Sequence, residues 1–249
     1  MGGHSHWKGI KEKKGAADKR RGKLFAKLLR AIEITARQGD PNPANNPTLA
    51  DAVQRAKDAS VPKDNIERAL ARGAGETGEG EAWSTVFYEG YGAGGVALLI
   101  EALTNNRNRT SQDLKAIFRR AEGNLAEPGA VQWQFERKGV IFVPRDGADE
   151  DAVMTVALEA DAEDVIDTGD GWDVVTSPAA YEGVKTALED AGISLASAEV
   201  TQRAQNSVPV DGADARAVLR LIEALEDHDD VQAVYANFDI PDSVMAEAG

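Results

Sequence analysis

Between Val140 and about residue 202 the chain alternates strand-like and helical patterns in the order β-α-β-β-α-β. Val140-Ile141-Phe142-Val143 is a continuous apolar run of strand type. A helical pattern follows at about 149–159, short strand patterns at about 164–168 and 172–176, a second helix at about 179–191 and a last strand at about 196–202. That succession is the ferredoxin-like order, and few topologies accommodate it. The flanking residues supply a second set. Residues 84–89 and 95–103 have strand patterns, joined at Gly90-Tyr91-Gly92-Ala93-Gly94-Gly95. Taken together, 95–103, a helix at 110–121, 130–135, 208–211, a helix at 212–227 and a strand at 231–238 repeat the same order. The expectation is one α/β domain, residues 136–206, inserted into another built from 81–135 and 207–241.

The first 80 residues have helical periodicity instead. Leu24, Phe25, Leu28, Leu29 and Ile32 fall at 3–4 spacing, and the pattern ends near Gln38-Gly39. Asn46 before Pro47 has the signature of a helix start, with Leu49, Val53 and Ala56 on the buried stripe. A third helix starts at Pro62, buries Ile66, Ala69 and Leu70, and is expected to close at Gly73. Three short amphipathic helices make a small bundle, followed by the glycine-rich linker 73–80. The fold class expected is α+β and multidomain: a basic arm with a three-helix bundle over 1–80, then two ferredoxin-like domains, one inside the other.

Charge divides the chain along the same line. Residues 1–38 carry eleven Lys or Arg against Glu12, Asp18 and Glu33, a net +8, whereas the whole chain is −14 and residues 39–249 therefore −22. From Asp146 to Gly183 there are twelve carboxylates and no Lys or Arg. A solvated, solubilising surface explains that acidity, and so does a face turned away from nucleic acid or toward a basic protein. The cationic end has the electrostatic character of a polyanion binder. Gly9, Gly15 and Gly22 weaken a helix upstream of Leu24, and the tip over 1–15 is expected to be mobile and to order on a partner.

Composition excludes several chemistries. There is no cysteine, which removes disulfides, thiolate nucleophiles and Cys-based zinc sites. No apolar run reaches the roughly 20 residues of a membrane span, and the N-terminus lacks the apolar core of a signal peptide. Cytoplasmic localisation is the expectation. Gly90-Tyr91-Gly92-Ala93-Gly94-Gly95 matches the dinucleotide pattern G-x-G-x-x-G, but strand-like Val96-Ala97-Leu98-Leu99-Ile100 follows where a helix would have to begin, so it is a hairpin turn. His228 lies within Asp227-His228-Asp229-Asp230 and is expected to be exposed at a helix-to-strand turn. No nucleophile is paired with a base, and no enzyme activity, cofactor or metal is expected.

The nucleic-acid reading rests on Trp7, Lys8, Lys11, Lys13, Lys14, Lys19, Arg20, Arg21, Lys23, Lys27 and Arg30, with phosphate contacts from the cations and stacking from Trp7. A solvated basic helix face with Trp7 packed on the bundle is the competing account. If half of the basic groups touched duplex phosphates, log K against log salt would slope by about −5. Arg107 and Arg109 lie within Asn105-Asn106-Arg107-Asn108-Arg109-Thr110 at a strand-to-helix turn. That segment suits phosphate or RNA contact and, equally, a polar helix cap. No helix with base-reading residues stands out, so these contacts position more than they specify.

Several of these stretches carry a resemblance. Gly3-His4-Ser5-x-Trp7, Lys23-Leu24-Phe25-x-Lys27-Leu28, the run Val61 to Ala69 and Tyr88-Glu89-Gly90-Tyr91-Gly92 resemble the YebC/PmpR family. So do Leu103-Thr104-Asn105-Asn106-Arg107-Asn108-Arg109-Thr110, Lys138-Gly139-Val140 and Ala224-Leu225-Glu226-Asp227-x-Asp229-Asp230-Val231-Gln232. The resemblance implies a three-domain, non-enzymatic nucleic-acid-binding regulator: a DNA-binding transcriptional regulator, or a factor acting on ribosomal or transfer RNA at ribosomes stalled on proline-rich sequences. The family also includes a mitochondrial translational activator. The chain departs from the family pattern at His6, where Lys is usual, and at Glu12 and Gly15, which weakens the arm. An acidic protein-interaction adaptor is the alternative. Oligomeric state is not legible.

Overall fold

Helix α1 (Ala17–Gln38) opens the structure, a computed structural model that describes residues 17–75, 83–146 and 148–241 and the side chains from Arg21 onward. The tip 1–15 and most of the linker lie outside the described residues. Ile32 and Ala36 are buried and Phe25, Leu28 and Leu29 pack beside them, but Leu24 turns outward and is 40% exposed. Helix α2 (Pro47–Asp58) begins as its sequence demands, with the Asn46 side chain accepting the Leu49 N–H at 3.1 Å and Pro47 in the first turn. Helix α3 (Lys63–Gly75) buries Ile66 and Ala69 against the other two. Gly73 does not end this helix. It lies inside it, where a Cβ would come within 2.6 Å of Ala36 Cβ and the Glu33 carbonyl oxygen. Its lack of a side chain lets α3 approach α1, and Arg72 bonds Glu33 across the contact at 2.9 Å.

The first sheet comprises β1 (Ser84–Tyr91), β2 (Ala97–Thr104), β3 (Asn124–Ala126) and β9 (Val231–Ala236), in the order β3-β1-β2-β9 and antiparallel throughout. The β1–β2 hairpin closes through Gly94 (φ 66°) and Gly95 (φ 77°), left-handed positions that favour glycine, as expected of that turn. Helices α4 (Arg107–Arg120) and α7 (Gly212–Glu226) cover one face, burying Leu114 and Phe118 with Val218, Leu221 and Ile222 over Leu98 and Ile100.

The second sheet is formed by β4 (Phe135–Pro144), β5 (Asp164–Asp167), β6 (Gly171–Thr176) and β7 (Ser197–Ala204), in the order β5-β6-β4-β7, all antiparallel. Helices α5 (Glu150–Glu159) and α6 (Tyr181–Asp190) pack on it around Ile141, Trp172, Val174 and Leu188. Its first and last strands pair from Phe135↔Ala204 onward, and the Gln205 N–H donates to the Gln134 carbonyl at 2.8 Å.

The first sheet departs from the expected order. Residues 132–134 form a 3-10 turn, not a strand, and β8 (Val208–Pro209) pairs in parallel with β10 (Phe238–Asp239) outside the sheet. The sheet takes β1 and β3 instead. The cause is Glu89, whose buried carboxylate accepts the backbone N–H groups of Gly129, Val131 and Gln132 at 2.6–2.9 Å. Burial works against its ionisation, but these bonds outweigh it and hold the carboxyl below its usual range. Donors used in this way are not available to a β-ladder.

Candidate nucleic-acid interface

The turn from Glu226 to Val231, between α7 and β9, is where α1 docks. Lys27 Nζ donates to the carbonyls of Glu226 (2.6 Å), His228 (2.8 Å) and Val231 (2.7 Å). An ammonium has three donors, and here all three are engaged. Burial, with Lys23 beside it, pulls the Lys27 ammonium down to about 8, against Glu226, Asp229 and Asp227. Lys23, one turn earlier, bonds the Asp227 carbonyl at 2.7 Å and its carboxylate at 2.9 Å while remaining 43% exposed. Of the expected phosphate contacts, Lys27 is therefore closed off by the turn and Lys23 is partly open.

The same turn holds the start of α4. Asn106 caps this helix, its side chain accepting the Arg109 N–H at 3.0 Å, so the amide serves as a cap. Buried Asp230 accepts from Arg109 Nη2 and from Thr110 Oγ1, each at 2.8 Å. Burial would raise the Asp230 carboxyl, but the Arg109 and Thr110 bonds prevail and keep it ionised below its usual range. Arg107 Nε donates to Ser84 Oγ at 3.2 Å, and the Tyr88 hydroxyl donates to the Arg107 carbonyl at 3.0 Å. His228 is not the exposed residue expected from its neighbours, since its side chain is 16% exposed. Its Nδ1 accepts the Asp230 N–H at 3.1 Å, which places the proton on Nε2, 3.4 Å from Asp113 of α4.

Further along α1, the Arg30 guanidinium lies 4.4 Å from the Trp83 ring centroid, and Gln38 bonds the Trp83 carbonyl at 2.7 Å. Arg21 lies over Phe25 at 5.2 Å. Trp7, Lys8, Lys11, Lys13 and Lys14 fall outside the described residues; Lys19 and Arg20 belong to the first turns of α1. Two stretches far apart in sequence, α1 and the α4 start, thus meet at one turn. Sequence reasoning did not single out Lys115, Arg119 and Arg120, all exposed on α4. Helix α4 carries five basic residues against the single acid Asp113, a signal hidden by the strong negative charge of the surrounding chain.

Two family descriptions match almost the whole chain: "TACO1/YebC protein N-terminal domain" over residues 5–76 and "TACO1/YebC second and third domain" over 83–238. A protein of Acidothermus cellulolyticus named "Probable transcriptional regulatory protein" is 54% identical over 247 residues, covering 99% of this chain and 100% of its own. Proteins of the same name from Thermobifida fusca (51%) and Rubrobacter xylanophilus (52%) match over 247 residues, 99% of each chain. The crystal structure of a conserved hypothetical protein from Aquifex aeolicus is similar, with a TM-score of 0.74 at 44% identity, over 90% of this chain and 92% of that one. Motif, coverage and fold agree, and the chain belongs to the TACO1/YebC family.

Proposed function

We propose that this protein is a non-enzymatic, nucleic-acid-binding regulator of gene expression that acts on the ribosome as a translation factor relieving stalling, with α1 and the start of α4 as its binding end. The observation that carries this reading is the convergence of Lys23, Arg30, Arg107 and Arg109 around the Glu226–Val231 turn and Trp83. Lys19, Arg20 and Arg21 extend the same helix toward the basic tip. In this reading residues 1–80 carry the binding arm, 81–135 with 207–241 form the platform it docks on, and 136–206, ferredoxin-like and acidic, point away from the polyanion. The relatives' name, "Probable transcriptional regulatory protein", supports the coarser part of this reading, a regulator of gene expression, and no helix among the described residues is long and apolar enough to cross a membrane.

Contacts of this kind grip backbone phosphate, which favours a structured RNA target over a sequence-specific operator. Ultraviolet crosslinking followed by sequencing of the bound nucleic acid tests this directly, with ribosomal or transfer RNA as the expected product. Recovery of DNA from defined sites would replace the ribosomal reading with a transcriptional one. Neutralising Lys19, Arg20, Arg21 and Lys23 together should weaken binding and abolish the regulatory activity; unchanged activity in that variant would leave a protein-interaction adaptor.

A further inference from the structure

Helices α4 and α7 form the outer layer over the first sheet, and their charge does not follow that of the chain around them. Together they hold seven Arg or Lys against Asp113, Asp214, Glu223 and Glu226, a net +3, within a stretch that is otherwise strongly acidic. Arg107 and Arg109 belong to the site already described. Lys115, Arg119 and Arg120 of α4 and Arg216 and Arg220 of α7 remain, all exposed and without a salt-bridge partner among the described residues.

The two helices run antiparallel. Arg109 meets Asp230 and Asp113 meets His228 at one end, while at the other Gly123 lies against both Phe118 and Leu221. Arg119 and Arg120 therefore come level with Leu221, beside Arg220, on the solvent side of the layer. Meanwhile the buried stripe Thr110, Leu114 and Phe118 occupies the inner side of α4. The α4 start is also where α1 docks, so the cationic stripe begins at the proposed binding end and leads away from it. Fourteen residues of helix span about 21 Å, the length of roughly six stacked nucleotides.

We propose that this layer is a second, contiguous contact for the phosphodiester backbone of a nucleic acid: the strand gripped by α1 continues along α4 past Lys115, Arg119 and Arg120 to Arg220. The proposal rests on the nucleic-acid reading above and assigns its footprint. Charge complementarity selects a polyanion here. The aromatic residue of this helix, Phe118, is buried, so the contact is to phosphate and carries no base preference.

The test is a fluorescence-anisotropy titration of the full chain with labelled 24-nucleotide RNA and DNA, each over a salt series. Wild type is compared with the triple variant Lys115→Gln, Arg119→Gln, Arg120→Gln and with the charge-preserving triple Lys115→Arg, Arg119→Lys, Arg120→Lys. The neutral triple is expected to bind about 10- to 100-fold more weakly, with a salt slope shallower by about 2, and the charge-preserving triple to bind as wild type. A 6-nucleotide oligomer, long enough for only one half of the footprint, should lose less than the 24-mer. Loss on RNA and DNA alike supports backbone contact, and loss on one alone supports it while naming the ligand. Wild-type affinity and slope in the neutral triple overturn the second contact and leave the α1 site standing. No binding by wild type to either 24-mer overturns both.

Discussion

Lys27 has three N–H donors, and the turn it meets offers three backbone carbonyls. Removing the ammonium orphans these acceptors in a half-buried contact. Lys27→Met is expected to lower stability by about 1–3 kcal/mol and to loosen α1 from the turn. Chemical denaturation gives the first quantity, and faster amide exchange in α1 reports the second. Gly73 tolerates no side chain, because Ala36 and the Glu33 carbonyl stand within 2.6 Å of where a Cβ would be. Gly73→Ala should cost about 1–3 kcal/mol despite the better helix propensity of alanine, so a stabilised variant in a thermal melt would contradict the packing described. Neither role is legible from residue type. A lysine in a basic helix and a glycine near a helix end each have a commoner use, and their actual use depends on residues distant in sequence.

Helix α2 ties the N-terminal helices to both sheets. Arg55 bonds both oxygens of Glu101 on β2 at 2.8 and 2.9 Å, and Tyr235 of β9 donates to Glu101 at 3.1 Å. Burial opposes the Arg55 charge, but Glu101 prevails and holds the guanidinium more firmly protonated than usual. Arg55→Ala would leave a buried carboxylate without its cation, at an expected cost of about 3 kcal/mol. An Arg55→Ala, Glu101→Gln double variant that recovers part of this loss would identify the stranded charge as its source. In the same last turn of α2, Asp58 accepts from Gln54 at 3.0 Å and faces Lys185 of α6 at 3.8 Å, with Gln54 also bonded to Glu182 at 2.7 Å. Burial pushes the Asp58 carboxyl up to about 6, against the pull of Gln54 and Lys185. A raised folded-state pKa means the folded chain binds the proton more tightly. The stability from this group is thus full below the unfolded value and is lost as pH rises to about 6. Between pH 4 and 6 it should remove about 2 kcal/mol, and Asp58→Asn should flatten that part of a melting-temperature profile.

On the scale of the whole molecule, cations gather at α1 and along the α4–α7 layer, while the stretch from Asp146 to Gly183 carries only acids. Such polarity orients a polyanion before contact and makes affinity steeply dependent on salt. Wild-type protein should show a log–log salt slope of about −5 on duplex RNA, and the α1 variant neutral at Lys19, Arg20, Arg21 and Lys23 a slope shallower by about 3 to 4. An unchanged slope in that variant would move the contacts off α1.

The elements from β4 to β7 are legible in the sequence because each has a clear local period, and the structure places them within a few residues of expectation. The same holds for Asn46 and Pro47 at the start of α2 and for the glycine hairpin. What misleads is the window 130–135, apolar enough for a strand, where the Val131 and Gln132 N–H groups are taken by Glu89, some forty residues earlier. Periodicity, capping and net charge are local sums, and by themselves they determined most element types and the polarity of the chain, while the motifs carried the resemblance to its family. Which cations remain open to a ligand is a pairing question. Only the tertiary structure decided that Lys27 is closed, that Arg109 is held by Asp230 and that Lys115, Arg119 and Arg120 face solvent, because each outcome depends on partners that the fold brings together from opposite ends of the sequence.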